Sequence, residues 1–359
     1  MDPLHTRRDQ RERPGAKRME APLIDRRDFL KAGATAAFST AVSMPAIRTA
    51  RAATPLTFFT PFGFSPDYIE IMNAKSGGHF ARAGLDVTVR GAQGTAQAMQ
   101  QLITGEAHII RAAPIDQMRL VQAQNLPLTA ISTLYQSSNF YLISSKDKPI
   151  TRAEDLKGKT IGVVSVAGTT SIYLDIMLKK GGLTKDDVKR HTTGNGPGAF
   201  QLVKQGRIDG FIATHVATIP LERAGEQITY FSSDKYSPMP NQGYLTTRGF
   251  AEKNSEATVA FIKAVKASVD EILTQPHRPI FERAAKEFEI QGIRDMDNIL
   301  AISKNWPTLL LSQGRENLLR NVPELWTSGV EVLADVGFLK KTAATDFYTN
   351  DYFDKAVRG

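Results

Sequence analysis

The chain of 359 residues contains no cysteine. That excludes disulfides, thiolate catalysis, cysteine-held metals and a lipid attached to a cysteine near the front end. The six histidines are scattered rather than grouped at ligand spacing, so no metal is expected. No haem, iron–sulfur or zinc-protease spacing is present, and no cofactor is expected either. Internal repeats and low-complexity segments are also lacking. The formal net charge of +8 raises the question of nucleic acid. Residues 1–52 hold eleven Lys/Arg against six Asp/Glu, and the rest of the chain holds 34 against 31. A folded part so nearly balanced has no basic stripe with interleaved aromatics, and nucleic-acid binding is excluded on that ground.

What is present begins with an Arg-rich front end. It leads to DRRDFLK (25–31) and then to sixteen residues without a charge, AGATAAFSTAVSMPAI (32–47). Ala50-Arg51-Ala52 supplies the small-x-small pattern read by a signal peptidase. Arg26-Arg27 with Phe29-Leu30-Lys31 resembles a twin-arginine (Tat) signal, with Asp25 where Ser or Thr is usual. The run is too short and too mildly apolar for a stable transmembrane helix. The expectation is export through the Tat machinery, cleavage near Ala52 and a soluble periplasmic protein.

From Leu56 onward, short apolar runs alternate with amphipathic stretches. Strands are expected at 56–60, 85–90, 107–112, 128–135, around FYLISSK (140–146), and at 159–165, 188–193, 210–214 and 227–232. Helices are expected at 94–106, 169–180 and 199–204 among others. Such alternation predicts an α/β fold with parallel sheets covered by helices. After Gly249 the strands stop. SEATVAFIKAVKASVDEILTQ (255–275) places Val259, Ile262, Val265, Val269 and Ile272 on one helical stripe. Helices are expected also around 281–288, 298–312 and 330–338.

Three stretches carry a family resemblance: FARAGLDVTVRGAQGTAQAMQQLITGEAHI (80–109), EDLKGKTIGVVSVAGTTSIYLDIMLKKGGLTKDDV (154–188) and FQLVKQGRIDGFI (200–212). In this order and spacing the chain resembles the substrate-binding proteins of ABC importers in the sulfonate/nitrate/taurine and thiamine-pyrimidine group. The resemblance implies a two-lobed periplasmic-binding-protein fold of type II, with two inter-lobe crossings and a helical C-terminal tail on the first lobe. The crossings are expected near Ser137–Tyr141 and Gly243–Arg248. Lobe 1 would then combine 54–138 with 246–359, and lobe 2 would hold 139–245. Hinge closure over a ligand follows from such an arrangement.

The stretch TTGNGPGAF (192–200) has the G-x-G-x-x-A spacing of a dinucleotide turn. The strand before it, VKRHTT, is too polar for the centre of a doubly wound sheet, and the next acid, Asp209, comes too early. A cleft-facing turn is expected instead, with Asn195 aiming its amide at a ligand or the glycines serving the turn alone. VAGTTS (166–171) opens a helix after a buried strand. Its unpaired N–H groups and positive dipole end suit an anion, and Gly168, Thr169 and Thr170 are candidates for contact; ordinary capping is the other reading. GAQGTA (91–96) is the matching helix start, with Thr95. Phe62 and Phe64 lie in a Pro/Gly turn at a strand's C-terminal end, placed to stack on a flat ligand or to join the core. His215, ending GFIAT, is a neutral donor or acceptor in the cleft or a plain strand-end residue.

The resemblance implies a monomeric, non-catalytic solute-binding protein. It would deliver a small-molecule ligand, an organic anion such as a sulfonate or aromatic carboxylate, to a separately encoded permease and ATPase. A neutral heterocycle (a pyrimidine or flavin precursor) is the alternative ligand, and a periplasmic enzyme or sensor the alternative role. A pyrimidine synthase of the same fold family would need a cysteine-rich motif and a reactive histidine.

Overall fold

The computed structural model describes residues 53–166 and 168–358; the expectations for the export signal at 1–52 fall outside them. Among the described residues, ten strands form two five-stranded sheets. The first comprises β1 (Thr54–Thr60), β2 (Leu85–Gly91), β3 (Ile109–Ala112), β4 (Leu128–Tyr135) and, from much later in the chain, β10 (Gln242–Thr247). The second comprises β5 (Phe140–Ser145), β6 (Thr160–Val163), β7 (Lys189–Thr192), β8 (Gly210–Thr214) and β9 (Ile228–Ser232).

The sheets share one topology. Their orders are β2-β1-β3-β10-β4 and β7-β6-β8-β5-β9. In each, the fourth position is an antiparallel strand: β10 against β3 and β4, β5 against β8 and β9. Those two strands are the ones that directly follow a passage between the sheets. All eight residues of β4 are buried, the polar Thr129, Ser132 and Thr133 included. The polar strand β7 lies at a sheet edge, with none of its residues buried. An edge position removes the last support for a dinucleotide turn after it.

One expectation is corrected here. Gly243–Arg248 is not a crossing, because 242–247 is β10, paired inside the first sheet. The second passage instead runs from Ser232 to Gln242. QGYLTT has no apolar alternation because the strand is buried on both faces between two neighbours. The helical tail also departs in detail. The stretch expected as one helix at 298–312 is two, Met296–Ser303 and Trp306–Leu310, since Pro307 is tolerated only in a helix's first turn.

Helix Ser255–Thr274 buries Phe261, Ile262, Val265, Val269 and Ile272 in the core of the first sheet, with Phe261 stacked 5.8 Å from Phe58 and 5.7 Å from Phe80. The two passages are laced together. Ser138 N donates to Asp234 at 2.8 Å, the hydroxyls of Ser138 and Ser233 meet at 2.6 Å, and Asn241 Nδ2 donates to Ser138 Oγ at 3.1 Å and to the Tyr173 hydroxyl at 2.8 Å.

Candidate ligand cleft

Strand ends in an open α/β sheet leave loops and helix starts facing the space beyond their carboxyl edges. Here two sheets present such edges to one another, and two adjoining cavities lie between them. One, of about 130 Å³, is lined by Phe62, Gln93–Gln97, Phe140, Val164, Ser165, Gly168–Thr170 and Asn195. The other, of about 430 Å³, shares Phe62, Gln93, Val164 and Asn195 and adds Gly63, Ser65, Ala92, Gly194, Gly196, Val216 and Gln291. No charged side chain is among the described lining residues of either.

The loop carrying Phe62 is held from three directions. Gly63 N donates to Ala92 O at 2.9 Å, Gln291 Nε2 donates to Phe62 O at 3.1 Å, and Gln291 N donates to Phe64 O at 2.9 Å. Gly63 has φ +59°, and a Cβ on Gly91 would meet Gly63 Cα at 2.7 Å. Both positions therefore require glycine. Phe62 is left half-buried with its ring on the cavities.

The helix starts at Thr95 and Thr169 converge on the smaller cavity, and neither carries a side-chain cap. The threonine hydroxyls are differently engaged from the sequence expectation. Thr169 donates to the carboxylate of Asp116, which starts a helix on the opposite sheet, and Thr170 Oγ1 accepts from Val164 N at 3.0 Å. Asp116 is buried, and that burial pushes its pKa up to about 6 despite the Thr169 bond and the nearby Arg119 charge.

Asn195 lines both cavities, yet its amide serves the protein. Its Nδ2 donates to Thr214 Oγ1 and its Oδ1 accepts from Thr214 N, both at 3.0 Å, tying the glycine turn to the end of β8. A Cβ on Gly196 would meet nothing within 4 Å. Those glycines thus leave room in the cleft rather than serving a tight approach.

Two candidates stand elsewhere. Phe64 turns away from both cavities and packs on Phe288 of the tail, ring centres 5.1 Å apart. His215 opens the helix His215–Arg223 behind the cleft, buried, with Nε2 3.3 Å from Asp67 Oδ1. Burial lowers its pKa, so the ring is neutral at pH 7. Residues not anticipated from sequence include Phe140, Gln93, Gln97, Gln291 and Asp116. Phe140 is a strand's first residue, and nothing in FYLISS marks it as ligand-facing.

Behind the cleft lies a buried polar hub. Arg111, fully buried in β3, donates to Glu70 Oε1 at 2.8 Å and to Asp67 O, between the rings of Tyr68 and Tyr135, each 4.8 Å from its guanidinium. Asp67 accepts from Tyr135 at 2.8 Å and from Asn139 at 3.1 Å. Burial works against the Arg111 charge, but Glu70 first, then Tyr135 and Asp67, hold it protonated well above its usual range. Burial likewise raises the Glu70 carboxyl against the pull of Arg111. Through Asp67 the hub joins the first sheet, a passage and the second sheet.

A family model described as NMT1/THI5 like matches residues 65–278. The chain is 25% identical over 283 residues to a 4-amino-5-hydroxymethyl-2-methylpyrimidine phosphate synthase of Aspergillus parasiticus, covering 70% of this chain and 79% of that protein. Among solved structures, the periplasmic nitrate-binding protein NrtA of Synechocystis PCC 6803 superposes with a TM-score of 0.63 at 14% identity, covering 85% of this chain and 89% of that one. The periplasmic aliphatic sulphonate binding protein SsuA of Escherichia coli gives 0.61 at 15% identity, covering 81% and 91%. These likenesses show the periplasmic-binding-protein fold. No helix among the described residues is long and apolar enough to cross a membrane.

Proposed function

The chain belongs to the NMT1/THI5-like family, and from that premise we propose that it is a non-catalytic solute-binding protein whose ligand is a flat, uncharged heteroaromatic molecule. The observation that carries this reading is the cleft lining: Phe62 from one sheet and Phe140 from the other, with Gln93, Gln97, Asn195 and Gln291 and no charged side chain among the described residues. Aromatic faces with amides suit a ring bearing donors and acceptors, since orientation in such sites comes from a few polar groups in apolar walls. The family relatives are named as synthases of a pyrimidine phosphate, whose ring is flat and heteroaromatic while its phosphate is charged.

An organic anion is the second reading, favoured by the two uncapped helix starts on the smaller cavity. A helix end contributes roughly 0.3–1 kcal/mol toward an anion when exposed. The Asp116 carboxylate, one hydroxyl away, opposes it. A neutral ligand avoids that conflict.

No acid, base or thiol is among the described residues lining the two cavities, although the curated relatives are named as synthases. The ligand is then passed to an ABC permease and ATPase encoded separately, the chain acting as a monomer in the periplasm after Tat export. The test is mass spectrometry of small molecules released by denaturing the purified protein, followed by calorimetric titration of the ligand found. A heteroaromatic without net charge supports the reading; a sulfonate or carboxylate bound tightly in the cleft overturns it in favour of the anion. A change of ligand mass on incubation with the protein overturns the non-catalytic role. Normal periplasmic accumulation of an Arg26→Lys, Arg27→Lys variant removes the Tat route.

A further inference from the structure

The glycine turn after the edge strand β7 holds a chemistry that ligand binding does not use. Asn195-Gly196 is the one Asn–Gly pair in the sequence, and every other asparagine is followed by a residue with a side chain. We infer that Asn195 is a self-modification site, where the Gly196 nitrogen displaces the side-chain amide and leaves a carboxyl group in the cleft wall.

The attacking atom is free. Gly196 N makes no hydrogen bond among the described residues, and a residue without a Cβ leaves the approach to it open. The reacting groups sit on adjacent residues, so their encounter is intramolecular. The amide under attack is held in one orientation: its Oδ1 accepts from Thr214 N and its Nδ2 donates to Thr214 Oγ1, both at 3.0 Å. The first bond strengthens as negative charge develops on Oδ1, and the Thr214 hydroxyl stands beside the nitrogen that departs. Solvent reaches the turn, since Gly194 and Pro197 are exposed and Asn195 and Gly196 lie half-buried on the larger cavity. Nothing in the fold demands glycine at 196. Its φ is −105°, and a Cβ there would meet nothing within 4 Å.

The reaction balances with water alone. Hydroxide takes the proton from Gly196 N, the nitrogen bonds to Asn195 Cγ, and the Cγ–Nδ2 bond breaks as ammonia leaves with a proton from water. Water then opens the cyclic imide at Cγ, giving aspartate, or at the main-chain carbonyl, giving isoaspartate. The net change is amide plus water to acid plus ammonia. Aspartate there keeps the N–H and hydroxyl of Thr214 as donors. It adds a negative charge to a lining that has none among the described residues.

The test is peptide mapping by mass spectrometry of the whole protein aged at mildly alkaline pH, folded and in denaturant, beside a Gly196→Ala variant. In the folded wild type, the amide-to-acid mass change is expected at Asn195 ahead of every other asparagine. A second charge form should appear with it and elute from a cation exchanger where Asn195→Asp does. Gly196→Ala should melt as the wild type does and convert at least about tenfold more slowly. An Asn195 that stays intact in the folded protein while the denatured chain converts overturns the inference, because the Thr214 bonds then protect the amide. Equal conversion in Gly196→Ala overturns it as well. Should that variant melt well below the wild type, the folded and denatured wild type decide alone. None of these outcomes depends on what the cleft binds.

Discussion

Thr169, at a helix start on the second sheet, donates its hydroxyl to Asp116, at a helix start on the first. A hydroxyl expected to greet a ligand instead joins the two halves of the protein, and it does so on a carboxyl whose burial holds its pKa at about 6.

A pH dependence follows. Asp116 titrates near 6 when folded and near 3.9 in an unfolded chain, so the native state binds the extra proton between those values. Its contribution to stability is fully present below the unfolded pKa and is lost as pH rises through 6. Asp234, raised to about 6 by desolvation, acts in the same direction. Denaturant unfolding should show the Asp116 part of the gain as on the order of 1 kcal/mol between pH 7.5 and pH 5. Asp116→Asn, which keeps an acceptor for Thr169, should be more stable than the wild type at pH 7.5 and lose that advantage at pH 5. A pH profile parallel to the wild type's would show that Asp116 is not the group responsible.

The two cleft phenylalanines should separate affinity from stability. Phe62 is half-buried on a braced loop, so Phe62→Ala should weaken ligand binding by about tenfold or more while the melting temperature changes little. Phe140 is 2% exposed and packs on Tyr173 with centres 5.1 Å apart. Its replacement by Ala should cost about 3–5 kcal/mol of stability as well. Titration beside thermal melting distinguishes the two; equal melting losses would mean that Phe62 is core.

Asn195→Ala should act on the turn and only through it on the ligand. It removes two hydrogen bonds to Thr214, each worth about 1 kcal/mol, and leaves Thr214 N without its partner. Amide hydrogen exchange at Thr214 should quicken. An unchanged exchange rate with a large loss of ligand affinity would instead make Asn195 a direct contact.

Arg111→Met should destabilise by about 3–5 kcal/mol, because it strands the buried carboxyls of Asp67 and Glu70. Arg111→Lys should recover only part of this, since an ammonium does not lie flat between Tyr68 and Tyr135. Urea unfolding of both variants is the measurement. Full recovery by Lys would mean that charge alone matters in the hub.

Much of the architecture was readable because strands and helices differ in apolar period. The helix Thr169–Lys180 and the strands β4 and β8 fall where the pattern puts them. β10 escaped because a strand buried on both faces need not alternate, and its Gly243 and threonines look like a linker. Turns at strand ends marked Phe62, Thr95, Gly168, Thr169, Thr170 and Asn195 as neighbours of one cleft, which the geometry brings together. The sequence could not say where their polar atoms go. Thr169 meets Asp116 across 53 positions and Phe64 meets Phe288 across more than two hundred, and such partners have no local signature. For the same reason His215, a strand-end residue by pattern, lies behind the cleft with the hub.

The origin of β10 bears on how the chain is made. β3 and β4 are not paired to each other; the place between them is filled by a strand that follows the whole second sheet. During synthesis the first four strands emerge with that slot open, and it stays open for roughly a hundred residues of further translation. The second sheet meanwhile has all five of its strands in one continuous segment and can complete itself. Two exposed strand edges in the nascent first half are templates for mispairing until β10 arrives. Released chains truncated before Gln242 should therefore protect the later-made sheet from proteolysis while the earlier-made one stays open, a reversal of vectorial order imposed by a single inserted strand.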